Sequence, residues 1–66
     1  MQVVYTTPGG RYRVVCADEQ YELQVETSVQ WWVVIARIDA DACGMYHQEA
    51  GAVLTAMAIR AEREFT

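Results

Sequence analysis

The sequence predicts an α+β domain: a four-stranded antiparallel meander with one carboxyl-terminal helix packed on one face. Two periodicities predict this class. Residues 2–38 contain extended apolar runs separated by turn residues, and residues 21–27 alternate strictly between apolar and polar. From Tyr46 onward, apolar residues recur instead at three- and four-residue steps. A length of 66 residues leaves room for one domain (1–66) with one small core.

The predicted helix carries one apolar stripe with several alanines, which would let the helix lie close to the sheet. Gly51 weakens it by about 1 kcal/mol relative to Ala. The stripe consists of Tyr46, Ala50, Val53, Leu54, Met57, Ala58, Ala61 and Phe65. The predicted boundaries are strands at about residues 2–6, 11–17, 21–27 and 29–38 and a helix at about residues 46–65.

The first two strands are predicted to form a hairpin. Residues 7–10 read Thr-Pro-Gly-Gly, in which Pro8 suits the second turn position and Gly9 supplies a positive φ at the third. A tip at these two residues determines which side chains face each other across the hairpin. The expected pairs are Tyr5 with Tyr12 and Val3 with Val14.

The next two connections decide which side chains lie under the helix. A loop at residues 17–20 fixes four cross-strand pairs between the second and third strands. On the buried side the expected pairs are Cys16 with Tyr21 and Val14 with Leu23. On the outer side they are Arg11 with Glu26 and Arg13 with Gln24. A three-residue turn at 27–29 then buries Trp31, Val33 and Ile35 and leaves Trp32 and Val34 outside. A two-residue turn would exchange the two faces, because a slip of one residue reverses every side chain. Which Trp is exposed therefore stays open, although at least one must be.

The charge of the chain is uneven. Residues 18–49 hold seven carboxylates and one arginine, Arg37, a balance of 1 − 7 = −6, whereas the whole chain carries −4. Such a field repels nucleic acid and membrane surfaces and favours basic partners. The loops at 17–20 and 39–45 fall at the same end of the predicted sheet. We therefore expect Asp18, Glu19, Asp39 and Asp41 to cluster there, with Arg37 as the nearest counter-charge.

No residue pattern carries a catalytic or cofactor signature. Residues 39–44 have the alternating carboxylates of a calcium loop, but Cys43 and Ala50 stand where such a loop needs oxygen ligands. Cys43 and His47 lack the four-ligand set of structural zinc. We expect no metal, no cofactor and no enzymatic activity, with a small metal- or thiol-dependent enzyme as the least favoured reading. Cys16 and Cys43 could pair as a disulfide or remain two thiols.

The sequence also bears on location and on nucleic acid. The longest apolar run, residues 31–36, is too short to span a membrane, and no signal-peptide pattern is present. We therefore expect a cytoplasmic protein that does not contact a membrane. Arg11 and Arg13 are expected to be cross-strand partners beside Glu26, so direct nucleic-acid binding is disfavoured.

Three resemblances follow from these features. In small size, acidity and lack of catalytic motifs, the whole chain resembles phage-encoded anti-CRISPR inhibitors, although no residue motif carries the likeness. The strand-loop-helix tail resembles the end of a double-stranded-RNA-binding domain without its lysines. The sheet-and-helix layout resembles a small antitoxin.

The leading hypothesis is a non-catalytic interaction or inhibitor protein. It would present an acidic surface with an exposed aromatic side chain to a basic protein surface, including that of a nucleic-acid-binding protein whose phosphate sites the carboxylates would mimic. The alternative is a homodimeric structural or regulatory subunit of the antitoxin-like kind, in which a second copy covers the outer face. The predicted partner-binding residues are Asp18, Glu19, Glu22, Trp32, Asp39 and Asp41.

Overall fold

The computed structural model describes residues 1–27 and 31–65, and over these residues it has the predicted α+β architecture. The strands form one open antiparallel sheet in the order β1-β2-β3-β4, and α1 packs against one of its faces. The elements are β1 (Gln2–Thr6), β2 (Tyr12–Ala17), β3 (Gln20–Glu26), β4 (Trp32–Asp39) and α1 (His47–Phe65). Residues 28–30, to which the sequence assigned part of a turn and the start of the fourth strand, lie outside the described residues.

The core lies between α1 and the two central strands. Leu54 of α1 is fully buried against Val14 of β2 and Leu23 of β3. Ala50 and Ala58, one turn to either side of Leu54, are fully buried as well and allow the helix to approach the sheet closely. The buried cluster consists of Tyr12, Val14, Tyr21, Leu23, Ala40, Ala50, Leu54 and Ala58.

The buried stripe of α1 is narrower than the sequence predicted. Val53 and Met57 are exposed, and Tyr46 is exposed before the helix begins. The reason is that α1 packs mainly on β2 and β3 and makes little contact with β4. The predicted burial of Phe65 concerns a side chain outside what the structure describes.

The first hairpin closes two residues further along the second strand than the sequence predicted. Thr7 and Tyr12 close the loop, with Thr7 N donating to Tyr12 O at 3.0 Å, and the positive φ belongs to Gly10 rather than Gly9. The observed pairs are therefore Tyr5 with Val14 and, beyond a bulge, Val3 with Val15. The predicted pairs Tyr5–Tyr12 and Val3–Val14 are wrong because the turn needs four residues rather than two between its closing pair.

The register of β2 on β3 agrees with the sequence prediction. Cys16 pairs with Tyr21, Val14 with Leu23, and Arg13 with Gln24. Glu26 N also donates to Arg11 O at 2.8 Å, as the predicted opposition of these two residues requires. The connecting turn is shorter than expected, because Ala17 already pairs with Gln20 and leaves a two-residue turn.

Trp32 and Val34 lie on the outer face of the sheet as predicted, but the predicted register of β4 on β3 is wrong. Trp32 pairs with Glu26 and Val34 with Gln24, two residues later in β4 than expected, because five residues instead of three separate the first pair of the two strands. A bulge at Ile35 adds one more residue, so that Ile38 lies opposite Tyr21, where a three-residue turn would place Ile35. The predicted burial of Trp31, Val33 and Ile35 beneath the helix is wrong. All three are exposed, because Trp31 precedes the strand and α1 leaves β4 largely uncovered.

Candidate functional site

The four carboxylates expected to cluster lie on two connections at the same end of the sheet. Asp18 and Glu19 form the β2–β3 turn, Asp39 ends β4, and Asp41 follows in the β4–α1 loop. The two connections are joined directly, because Ala40 N donates to Glu19 O at 3.1 Å. We call Asp18, Glu19, Asp39 and Asp41 the acidic end.

Local hydrogen bonds hold the β4–α1 loop in place. Asp39 organises its first turn, since Ala42 N donates to Asp39 Oδ1 at 3.1 Å and Cys43 N donates to Asp39 O at 3.0 Å. Ala40 is fully buried, and its carbonyl accepts a hydrogen bond from Met45 N at 2.8 Å. With Ala40 anchored in the core, the exposed side chain of Asp41 is displayed from a tethered loop.

The carboxylates of the acidic end interact across the two connections. The pKa of Glu19 is raised above its ordinary value of 4.5, because its protonated carboxyl hydrogen-bonds to Asp41 and because the charge of Asp41 repels the ionised form. Some loss of hydration and the charge of Asp39 raise the Glu19 pKa further, while the charge of His47 opposes the shift. Glu19, Asp39 and Asp41 therefore lie close enough for their negative charges to act on one another.

The positive groups near the acidic end are arranged differently from the prediction. Arg37, the expected counter-charge, pairs instead with Glu22, at 2.9 Å between Nη2 and Oε2. His47, in the first turn of α1, lies closer to the acidic end, with its Nε2 3.9 Å from Asp41 Oδ1. A protonated His47 would partly offset the charge of the acidic end, whereas a neutral His47 would leave it unbalanced.

The outer face of the sheet carries a polar network that crosses three strands. The Arg13 guanidinium lies 4.0 Å from the ring centroid of Trp32, and its Nε donates to Gln24 Oε1 at 2.7 Å. Gln24 Nε2 donates to Glu22 Oε1 at 3.1 Å, and Glu22 also accepts a hydrogen bond from Arg37 Nε at 3.0 Å. Every charge in this network has a partner of opposite charge or an aromatic ring.

The six residues predicted to bind a partner therefore fall into two groups. Four form the acidic end, whereas Glu22 and Trp32 belong to the network on the outer face. Trp32 begins β4 and Asp39 ends it, a separation of roughly 23 Å for seven steps of about 3.3 Å.

Trp32 is half-buried beneath Arg13, and Trp31 is the exposed member of the pair. The sequence did not reveal the stacking of Arg13 on Trp32, because it depends on the β3–β4 register.

Other candidate chemistry is sparse in the part of the chain that the structure describes. Cys16 is a half-buried free thiol and Cys43 an exposed one, so the two are not bonded to each other. Over residues 1–27 and 31–65, no group of three or more His, Cys, Asp or Glu side chains is arranged to hold a metal ion. None of the helical segments within those residues is long and apolar enough to cross a membrane.

The fold and the site together define a small open-faced α+β domain with an acidic end and a polar network on the sheet face opposite the helix. Comparison with known protein families, with curated proteins and with solved structures found no match.

Proposed function

We propose that the chain is a non-catalytic interaction protein whose acidic end binds a basic surface of a protein partner. The observation that carries the proposal is the placement of Glu19, Asp39 and Asp41 at one end of the sheet, on two separate connections that the hydrogen bond from Ala40 N to Glu19 O joins at 3.1 Å. Separate loops seldom bring like charges together for stability, since each such contact costs free energy. A surface that keeps them together is suited to a partner that supplies the opposite charge.

The proposed partner class is a nucleic-acid-binding protein. Proteins that bind nucleic acid present clustered lysine and arginine side chains to phosphates. Carboxylates displayed from a tethered loop and a tight turn can occupy such phosphate sites, and so act as a nucleic-acid mimic. The likeness to anti-CRISPR inhibitors in size and charge makes a nucleic-acid-guided effector a partner to test first. In this proposal the acidic end contributes the charge, and the exposed Trp lies outside the contact that carries it.

The test compares two variants that remove the same number of charges. Asp18→Asn with Asp41→Asn neutralises the acidic end, and Asn suits the positive φ of 56° at position 18. Glu26→Gln with Glu64→Gln removes two carboxylates elsewhere and serves as the matched control. Immobilised protein is exposed to a cell lysate, captured proteins are identified, and their affinity is measured at increasing salt.

We expect wild type and control to capture a basic nucleic-acid-binding protein and the acidic-end variant to bind it about tenfold more weakly or worse. Added nucleic acid should release the captured protein, and raising the salt from ~0.1 to ~0.5 M should weaken binding, because a shorter Debye length screens the charges. Capture that is equal for both variants, or unaffected by nucleic acid, would contradict the proposal.

A further inference from the structure

We propose that β4 pairs with β4 of a second copy of this chain, which joins two sheets into one continuous sheet in a two-fold symmetric dimer. The proposal does not require the function assigned to the acidic end, although the two share Asp39. It rests on the open edge of β4, on the apolar side chains beside that edge, on the bulge in the strand and on the distribution of charge.

The edge of β4 is open. β4 pairs with β3 on one side, and over the described residues no strand pairs with its other side. At eight residues it is the longest strand of the sheet, and its sequence contains neither Lys nor Pro, two residues that commonly block edge pairing. The opposite edge strand, β1, is shorter, at five residues. An edge of this length is a template for an added strand, and an added strand must accommodate the bulge at Ile35.

Exposed apolar side chains follow this edge. Trp31 is 71% exposed, Val33 44% and Ile35 50%. On the neighbouring helix, Val53 is 40% exposed and Met57 45%. Such a run of large apolar groups is more than a surface of scattered residues requires, and it marks an association site.

The helix residues of this strip lie on the β4 side of α1. Glu62 contacts the β1–β2 loop, where Gly9 N donates to Glu62 Oε2 at 3.2 Å. An α-helix turns by about 100° per residue about its axis, so Glu62 lies about 80° around the helix from the buried Leu54, on one side. Val53 and Met57 lie about 100° and 60° to the other side by the same rule, and therefore toward β4. A second copy docked on the β4 edge would cover the strand and this helix flank together.

The bulge at Ile35 determines which antiparallel register can join two copies of β4. Before the bulge, Val33 faces the helix and Val34 faces outward, whereas after it Ile38 faces the helix and Arg37 faces outward. A two-fold axis between positions 35 and 36 therefore pairs Val33 with Ile38 of the second copy and Val34 with Arg37 of the second copy. Each pair lies on one face, as an antiparallel ladder requires. This register uses all eight residues of β4.

The charges favour the same arrangement. Antiparallel pairing directs the acidic ends of two chains, each with a net charge of −4, to opposite ends of the dimer. β4 itself carries one Arg and one Asp. The register also brings Asp39 of the second copy opposite Trp32, over which Arg13 lies, so an acidic group approaches a basic one.

The size of the contact sets the expected strength. An eight-residue strand is about 26 Å long, and the molecule is 15 Å across its shortest dimension. The contact face is thus roughly 400 Å² in projection, below the ~800 Å² per partner of a standard interface. We therefore expect a dissociation constant in the micromolar range.

The experiment uses Ile35→Lys and its counterpart Val4→Lys. Both positions are bulge residues of edge strands and are about equally exposed, at 50% and 48%. Sedimentation of the 66-residue protein is followed from ~1 to ~500 µM, a range that spans the expected dissociation constant. Wild type and Val4→Lys should shift from the 7.5 kDa monomer to a dimer, and Ile35→Lys should remain monomeric, with at least tenfold weaker association.

A second measurement uses the wild type alone. Amide exchange in β4 should slow as protein concentration rises, while exchange in β1 stays constant. A wild type that stays monomeric at ~500 µM, or a dimer that Val4→Lys disrupts and Ile35→Lys does not, would overturn the proposal. The proposal would also be overturned if the Ile35→Lys variant still formed open-ended assemblies larger than a dimer.

Discussion

At the scale of single residues, the acidic end gathers like charges at a cost in stability. Glu19 bears that cost most directly, because Asp41 and Asp39 raise its pKa. A carboxyl whose pKa is higher in the folded than in the unfolded state binds protons more readily when folded. The contribution of Glu19 to the free energy of unfolding is therefore most favourable below pH 4.5, the ordinary pKa of the side chain, and is lost as the pH rises through the raised pKa.

Glu19→Gln should consequently stabilise the protein at pH 7. The neutral amide removes the repulsion and can still donate a hydrogen bond to Asp41. Thermal unfolding should show a higher midpoint for the variant than for wild type at pH 7, and the difference should vanish below about pH 4, where Glu19 is protonated in both states.

The matched control is Glu64→Gln on the exposed carboxyl-terminal part of α1. Glu64 pairs with Arg60 at 3.4 Å, so its removal takes away an attraction instead of a repulsion. No increase in the midpoint is expected for this variant. A destabilised Glu19→Gln at pH 7, or an equal gain in both variants, would show that the repulsion is not local to the acidic end.

At the scale of elements, the β2–β3 register was predictable from the sequence, whereas the β1–β2 and β3–β4 registers were not. The β2–β3 register follows from alternation along both strands and a tight turn of two acidic residues, and it matches the prediction. The β4 register differs from the prediction by two residues from its first pair, because residues 27–31 separate β3 from β4, and by a third residue after the bulge at Ile35. No local sequence signal predicts such a bulge, because it depends on the packing around the strand. The resulting register places Arg37 opposite Glu22 and leaves Trp31 before the strand, where it is exposed.

The acidic end was predictable for a related reason. The four carboxylates come together whenever the β2–β3 and β4–α1 connections lie at the same end of an antiparallel sheet. This remains true when the predicted register is wrong by two or three residues. The pairing of individual charges does not survive such an error. The sequence therefore predicted the cluster of Glu19, Asp39 and Asp41 but assigned Arg37 to it, whereas Arg37 binds Glu22.

Two glycines provide a prediction about how the elements are built. A Cβ placed on Gly51 in α1 would lie 3.5 Å from Tyr21 Cε2, an ordinary contact, and Gly51 has no positive φ. Gly51→Ala should therefore stabilise the protein by about 0.5–1 kcal/mol through helix propensity. Gly10→Ala has open space around it but a φ of +74°, so it should destabilise by about 1–2 kcal/mol.

Urea unfolding of both variants measures these changes. The pair separates backbone conformation from packing, because the position with free space is the one expected to lose stability. Equal signs for the two substitutions would contradict either the helical conformation at Gly51 or the left-handed conformation at Gly10.

At the scale of the whole molecule, the two faces of the sheet are stabilised by different means. The face beneath α1 is apolar and closes around Leu54, Leu23 and Val14. The outer face is covered by its own side chains, including the polar network, and Val15 is buried there without a helix above it. With one apolar layer in 66 residues, the free energy of unfolding is expected to be about 3–10 kcal/mol.

Leu54→Ala should therefore remove a large part of the stability, at a cost of about 2–5 kcal/mol, because the cavity opens at the centre of the one helix–sheet contact among the described residues. Val53→Ala, at the preceding position on α1, truncates a side chain that is 40% exposed and does not belong to the buried cluster, and it should cost less than about 1 kcal/mol. Urea unfolding followed by Trp fluorescence at ~0.1 µM, below the micromolar range expected for dimerisation, isolates the monomer. Similar losses for the two variants would mean that the helix presents a different face to the sheet. A small loss for both would place the principal core elsewhere.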